Sequence, residues 1–412
     1  MLYNRSKIFF ISVLIFSCSS EPEIYPDNVT ADGMAPYDEE FIPHPIPRFM
    51  PHSDVDAIEL ELRDAADILD SLPENLQLLY RFLNDESQVF NEKELSLIVS
   101  NSDEIGVASL DETSLLFLDK YDNRFFQYDL LEDKYVSLAP QGRGPGDIFF
   151  TQEMQVYNKR AYVAMEGFRI SVFDCQLGKC MYESTISTEW SGNYSIAPLG
   201  DKLMALGRPG FSSDLSVDSE GIEHTIYQLN SDGEVVQSFG QPYQYWHPVV
   251  GRAIHSYSTV RSFPKYEFHA VVFNFFPYIY LYNFEGELAG KYRVPGYLQG
   301  YYDLKEGPGN RYMGRYRHND NSGLSATIAI DDQWLLIQKK ERRDMQWELG
   351  RAEGSEWSSY YLFNVGSHEL YDLGTDSIRE INSARAISVV DNGLVVNEQG
   401  TLYWVGSERL IE

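Results

Sequence analysis

Short aromatic and β-branched runs that end on Asp or Asn recur along this chain. They are Phe125 to Asp129, Ile170 to Asp174, Ile226 to Asn230, Tyr278 to Asn283 and Tyr360 to Asn364, with a sixth run, Thr401 to Gly406, near the C-terminus. Such runs bounded by turn-forming residues read as strands of hairpins. With the terminal Asp or Asn as a marker, successive steps are 45, 56, 53 and 81 residues. A four-stranded propeller blade needs roughly 40 to 50 residues. Most steps therefore fit a blade with loop insertions, and the long one holds a large insert. Six hairpins of this kind predict an all-β chain, a six-bladed β-propeller over residues 89–412 whose blades leave only short, protected edges around a channel.

The most distinctive local sequence is Gln141-Gly142-Arg143-Gly144-Pro145-Gly146-Asp147. Three glycines and a proline in seven residues exclude regular helix or strand and require a tight, exposed loop. Arg160 to Met165 and Phe168 to Asp174 follow as a hairpin turned by Glu166-Gly167. A phosphate-loop reading fails on context, because no Gly-Lys-Ser/Thr follows and no helix begins there. The loop instead joins two blades at the channel mouth, where Arg143 could point inward. Loop and hairpin together resemble the GxGPGE/D signature of the six-bladed, NHL/TolB-like propeller lipoproteins of Bacteroidetes-type bacteria, with Asp147 where that family more often has Glu. The resemblance implies a propeller architecture and a cell-envelope location, and it brings no catalytic residue and no cofactor.

Upstream of the propeller, Arg5 and Lys7 precede an apolar run from Ile8 to Phe16 that is too short to span a bilayer, so residues 1–17 read as a secretory signal. Ile15-Phe16-Ser17-Cys18 resembles a lipobox, which implies lipidation of Cys18 and a membrane anchor. Residues 18–52 are rich in Pro, Asp and Glu and read as an extended tether. Acidic residues this close to Cys18 also resemble signals for the outer cell surface. Residues 53–88 read as a helical arm, since Val55, Ile58, Leu62, Ala65, Leu69, Leu72, Leu76, Leu79 and Leu83 lie at helical spacing. Ser53 with Asp56 resembles a capping box, and Pro73 must kink or divide the helix. Ile58, Leu60 and Leu62 also alternate as a strand would. The arm either packs on its own propeller or offers its stripe to a protein partner. Leu95 to Val99 is placed to pair beside Leu402 to Val405 and close the ring, or to form an outlying hairpin.

The chain has 33 Lys and Arg against 62 Asp and Glu, a formal charge of −29. A surface so acidic repels a phosphate backbone, so nucleic acid is not an expected partner. Setting Cys18 aside, Cys175 and Cys180 flank a four-residue hairpin turn, Gln176 to Lys179. Cross-strand neighbours in an exported hairpin suit a disulfide, and no His or second Cys pair beside them suggests a metal.

Two groups of residues could carry binding. Tyr292 to Gly323 reads as a loop-rich insert crowded with Tyr297, Tyr301, Tyr302, Arg311, Tyr312, Arg315, Tyr316, Arg317 and His318. Guanidinium groups among aromatic rings suit a carboxylate, a sulfate or a sugar ring, although the same arginines could simply neutralise nearby acids. Arg143, Arg315 and Arg317 are expected to face one concavity. The second group is Trp246-His247, Arg252, His255 and Arg261, where the irregular local pattern defines no metal geometry. Three functions are compatible with these features. They are a membrane-anchored, non-enzymatic binding or scaffolding module with an anionic or carbohydrate ligand or a protein at the channel face; a lactonase-like hydrolase or lyase; and an accessory subunit of an envelope nutrient-uptake complex. The first accounts for most of them.

Overall fold

The computed structural model describes residues 42–45, 57–84, 92–97, 99, 105–165, 169–176, 179–188, 195–206, 224–240, 258–274, 276–297, 301–307, 311–317, 321–348, 351–376, 379–380, 385–398 and 400–406. Six antiparallel sheets follow one another along them. Blade 1 holds Ile105–Ser109, Ser114–Asp119, Arg124–Asp129 and Lys134–Ala139. Blade 2 holds Thr151–Tyr157, Arg160–Met165, Arg169–Asp174 and Met181–Ser187. Ser195–Leu199, Lys202–Leu206, Ile226–Leu229 and Val235–Phe239 make blade 3. Thr259–Phe263, Phe268–Val272, Tyr278–Asn283 and Leu288–Arg293 make blade 4. Blade 5 is Asn321–Ile330, Trp334–Glu348, Arg351–Asn364 and Glu369–Thr375. Blade 6 takes Arg385–Val390, Gly393–Glu398 and Thr401–Gly406 from the C-terminus and Glu92–Glu94 from the N-terminal side.

That last pairing closes the ring. Glu92, Lys93 and Glu94 lie opposite Val405, Trp404 and Tyr403, and the Leu95 amide donates to Leu402 at 2.8 Å. The closing strand thus uses the expected partner but is Glu92–Glu94, which corrects the placement of Leu95 to Val99 in that role, since the strand ends where that run begins. The apolar packing gives independent proof of closure. Six buried clusters each join two neighbouring blades, and one of them sets Trp404 and Leu402 of blade 6 against Phe117, Phe126 and Tyr128 of blade 1. An open row of six sheets would have five such interfaces; six require a ring.

The recurring Asp or Asn has a simple physical task. Each ends or directly follows the third strand of its blade, and its side-chain oxygen accepts from backbone amides two to four residues on: Asp129 from Leu131 and Glu132, Asp174 from Gln176, Asn230 from Asp232 and Glu234, Asn283 from Glu287, and Asn364 from Gly366 and Ser367. These Asx turns start the reversal into the outer strand. The Gly-rich loop between blades 1 and 2 is equally structural. Asp147 folds its carboxylate back to accept from the Gly144 amide at 2.7 Å, and a Cβ at Gly142 or Gly144 would collide with that carboxylate. Gly146 has φ +81° and lies against the Tyr182 ring, so a side chain there would be both strained and blocked.

The N-terminal segment departs from a continuous helix. Ile58–Glu59 adds a parallel strand to the rim of blade 4, and Leu62–Asp64 adds one to the rim of blade 5. Only then come a 3-10 helix, Ala65–Ser71, started by Asp64 accepting from the Ala66 amide, and an α-helix, Glu74–Asn84. The helical reading from Ser53 is therefore corrected over Ile58 to Asp64: period-two alternation prevailed because open blade edges supply the backbone partners. Pro73 separates the two helices, as its ring requires, and its carbonyl accepts from Leu76 and Gln77. Leu72, Leu76 and Leu79 are buried between blades 5 and 6, so the apolar stripe covers the chain's own propeller.

Between blades 3 and 4, His269 is fully buried and stacked between Phe239 and Phe284, with Nδ1 2.9 Å from Ser262 Oγ. Burial drives its pKa down from 6.5 to about 4. The unfolded chain therefore binds the extra proton between those values. Stability falls as pH drops below 6.5 and the loss is complete near 4, amounting to roughly 3 kcal/mol from this residue. Urea unfolding across that window should show this slope in the wild type and a shallower one in His269→Phe; equal slopes would disprove the buried neutral imidazole.

Candidate functional site

The first strands of blades 6, 1, 2, 3, 4 and 5 adjoin one another in that order around the axis. Because every blade runs from axis to rim, these inner strands start at the same mouth of the channel. At that mouth, the inner-strand starts of blades 2, 3 and 4 share one polar seam. Glu153 of blade 2 accepts from Ser195 Oγ and the Ile196 amide of blade 3, both at 2.8 Å, and from Gln155 Nε2 at 3.1 Å. Arg261 of blade 4 reaches past blade 3 to place Nη2 2.7 Å from Glu153 Oε1. Its Nη1 donates to its neighbour's carbonyl on Val260 at 2.7 Å, and the Val260 amide donates to Ser195 Oγ at 3.0 Å.

The seam exists because an innermost strand has an edge with no further strand to pair it. The Ile196 and Val260 amides would otherwise be buried donors without acceptors, which costs more than an average hydrogen bond gains. Side chains of the preceding blade fill that role. Side-chain exposure is 12% for Glu153 and 5% for Arg261, so the pair is screened little by water. Donors thus reach both oxygens of Glu153.

A second polar cluster roots the insert between blades 4 and 5. At one end, Lys339 Nζ donates to the Gly296 carbonyl at 3.2 Å, and Tyr297 Oη donates to the Asn274 carbonyl at 2.9 Å. At the other end, the Leu324 amide donates to the same Asn274 carbonyl at 3.0 Å. Lys339 is also 3.5 Å from Glu341, which accepts from Trp357 Nε1 at 2.7 Å. Both ends of the insert are thus tied to blades 4 and 5 at the end where their inner strands begin.

The insert, expected to be loop-rich, contains a hairpin, Tyr301–Gly307 with Arg311–Arg317, to which Ile42–Pro45 adds a third strand. The physical reason is visible in its sequence, where Arg and Tyr alternate with the strand period of two. Arg317 lies opposite Tyr301, Arg315 opposite Asp303 and Arg311 opposite Gly307, while Tyr316 and Tyr312 lie opposite Tyr302 and Glu306. Arg311, Arg315 and Arg317 therefore fall at even spacings along one strand of this sheet, with Tyr312 and Tyr316 at the positions between them.

Arg143 is exposed in the blade 1 to blade 2 loop, its guanidinium 5.3 Å from the Phe149 ring centre, while its carbonyl accepts from Arg169 Nη1 at 2.7 Å. It sits on a connection equivalent to that of the insert but three blades away. His247, Arg252, His255, His318 and Cys18 lie outside the described residues. Arg261, noted in sequence beside the histidines, is the member of that group among the described residues, and it lies in the seam. Cys175 and Cys180 are joined by a disulfide, buried in the cluster between blades 1 and 2. Glu153 and Ser195 were missed by sequence reasoning. The available signal was a Glu amid the hydrophobic positions of an inner strand, Thr151–Tyr157.

No protein-family model matches this chain, and no curated protein does. Solved structures do resemble it. A member of the DUF4221 family from Bacteroides vulgatus is 10% identical, with 77% of this chain and 96% of that one covered and a TM-score of 0.48. A putative exported protein from Bacteroides fragilis is 12% identical over 77% and 97%, with a TM-score of 0.46. A streptogramin B lyase is 11% identical over 77% and 97%, with a TM-score of 0.42. The ring here rests on this chain's own strand pairings.

Removing one member of the seam leaves the other charge buried. Glu153→Ala and Arg261→Ala should each cost roughly 3–5 kcal/mol in denaturant unfolding, and Glu153→Met with Arg261→Met should cost clearly less than the sum of the single substitutions. Additive losses would show that the two side chains do not interact.

Proposed function

We propose that this protein is an envelope-displayed propeller, anchored through a lipidated Cys18, that binds an anionic or carbohydrate ligand at its channel face without catalysing a reaction on it. One observation carries the reading. In a chain of formal charge −29, Arg311, Arg315 and Arg317 lie along one strand of a small sheet whose root is tied to blades 4 and 5 at the end where their inner strands begin. Closely spaced guanidinium groups favour carboxylates and sulfates, which they can bind by paired hydrogen bonds. The surrounding acidic surface disfavours nonspecific capture of polyanions. The arm's stripe being engaged in cis, a ligand is better placed at the channel face than on the helix.

The test is calorimetric titration of the mature protein with sulfated and uronate-containing oligosaccharides, and with neutral ones as a control. Arg311→Gln, Arg315→Gln and Arg317→Gln combined should weaken binding of an acidic oligosaccharide at least about tenfold, ~1.4 kcal/mol, and reduce its salt dependence with the melting temperature unchanged. Unchanged affinity in the triple variant, or consumption of the oligosaccharide, would refute the proposal. Loss of Cys18 in Cys18→Ala should release the protein from the membrane fraction; retention there would refute the anchor.

A further inference from the structure

The donors around Glu153 form a more general object than a salt bridge. A hydroxyl from Ser195, an edge amide from Ile196, a carboxamide from Gln155 and a guanidinium from Arg261 converge on the two oxygens of one carboxylate. They come from three blades, so the ring positions them rather than any local turn. Each is itself oriented: Ser195 Oγ by the Val260 amide, Arg261 by the Val260 carbonyl, and Ile196 by its pairing with Ala205. Such preorganised donors select a planar, two-oxygen anion, because they pay little reorganisation on binding it.

We propose that this convergence is a carboxylate receptor at the channel mouth, occupied in cis by Glu153, and that a small-molecule carboxylate takes it in trans by displacing that side chain. Arg261, Ser195 and the Ile196 amide are its binding groups, and Glu153 is an internal competitor that sets a threshold for occupancy. With Glu153 and Arg261 nearly buried, an incoming carboxylate must replace Glu153 rather than join it. A uronic acid and a free amino acid both present the required group. The receptor does not depend on the arginines of the insert, since none of its donors comes from there.

The experiment uses the full mature protein, with acetate, glucuronate and glycine as probes and chloride at matched ionic strength as the control. Glu153→Ala should melt lower than wild type and regain stability saturably with millimolar acetate, as linkage requires of a ligand that binds only the folded state. Glu153→Gln keeps the volume but sets an amide N–H₂ against donors, so it serves if the alanine protein does not fold. Both variants should bind glucuronate at least about tenfold more tightly than wild type does. Adding Arg261→Met should abolish the response. A stronger response to glucuronate than to glycine would assign a sugar acid, and the reverse an amino acid. Three results would each overturn the proposal: equal effects of chloride and acetate, no probe binding to either Glu153 variant, or no detectable glucuronate or glycine binding to wild type. The insert triple variant should leave these responses unchanged, which separates failure here from failure at the insert.

Discussion

Closure of the sixth blade by Glu92–Glu94 is the constraint on which the rest of the architecture depends. It joins the two ends of the fold without a covalent bond, and it buries Trp404 and Leu402 against blade 1. Only a closed ring gives every inner strand two neighbouring inner strands. The seam from Glu153 through Ser195 to Arg261 is a product of that geometry, because it needs three consecutive inner-strand starts held at fixed spacing. The N-terminal segment strengthens the same closure from outside. It runs along the rims of blades 4 and 5, packs a helix against blades 5 and 6, and then enters blade 6 as the closing strand.

The fold was legible because its repeat is local chemistry. In blades 1 to 5, an Asp or Asn closing the third strand starts a turn with atoms only a few residues away, so the signal survives in a short window of sequence. The Gly-rich loop was legible for the same reason: Gly142, Gly144 and Asp147 answer to one another across five residues. Where local patterns competed, tertiary context decided. Ile58 to Asp64 fits a helical stripe and a strand alternation equally well, and the open edges of two blades resolved it. In the insert, glycines and crowded charges point to loop while the alternation of Arg and Tyr points to strand, and the hairpin forms because each strand supplies the other's backbone partners.

The candidate site was much less legible, and the reason is distance along the chain. Glu153, Ser195 and Arg261 are separated by 42 and 66 positions, and none lies in a motif. Arg261 drew notice only through the histidines before it. A lone Glu in a strand is usually a solvated residue on an outer face. What makes Glu153 different is that it sits on an innermost strand, which no window of sequence reveals.

A buried ion pair is weak evidence of stability, since apolar replacements of equal volume often do as well. The seam therefore calls for a reason beyond holding three blades together. Part of that reason is the edge amides: apolar side chains at 153 and 195 would leave Ile196 and Val260 without acceptors. An acceptor alone, however, could be a neutral Gln or Thr. The guanidinium arriving from blade 4 is needed only if the occupant carries a full negative charge. A wall of edge donors completed by a cation is suited to holding an anion at the channel, and it would hold that anion whether the carboxylate belongs to the chain or to a ligand.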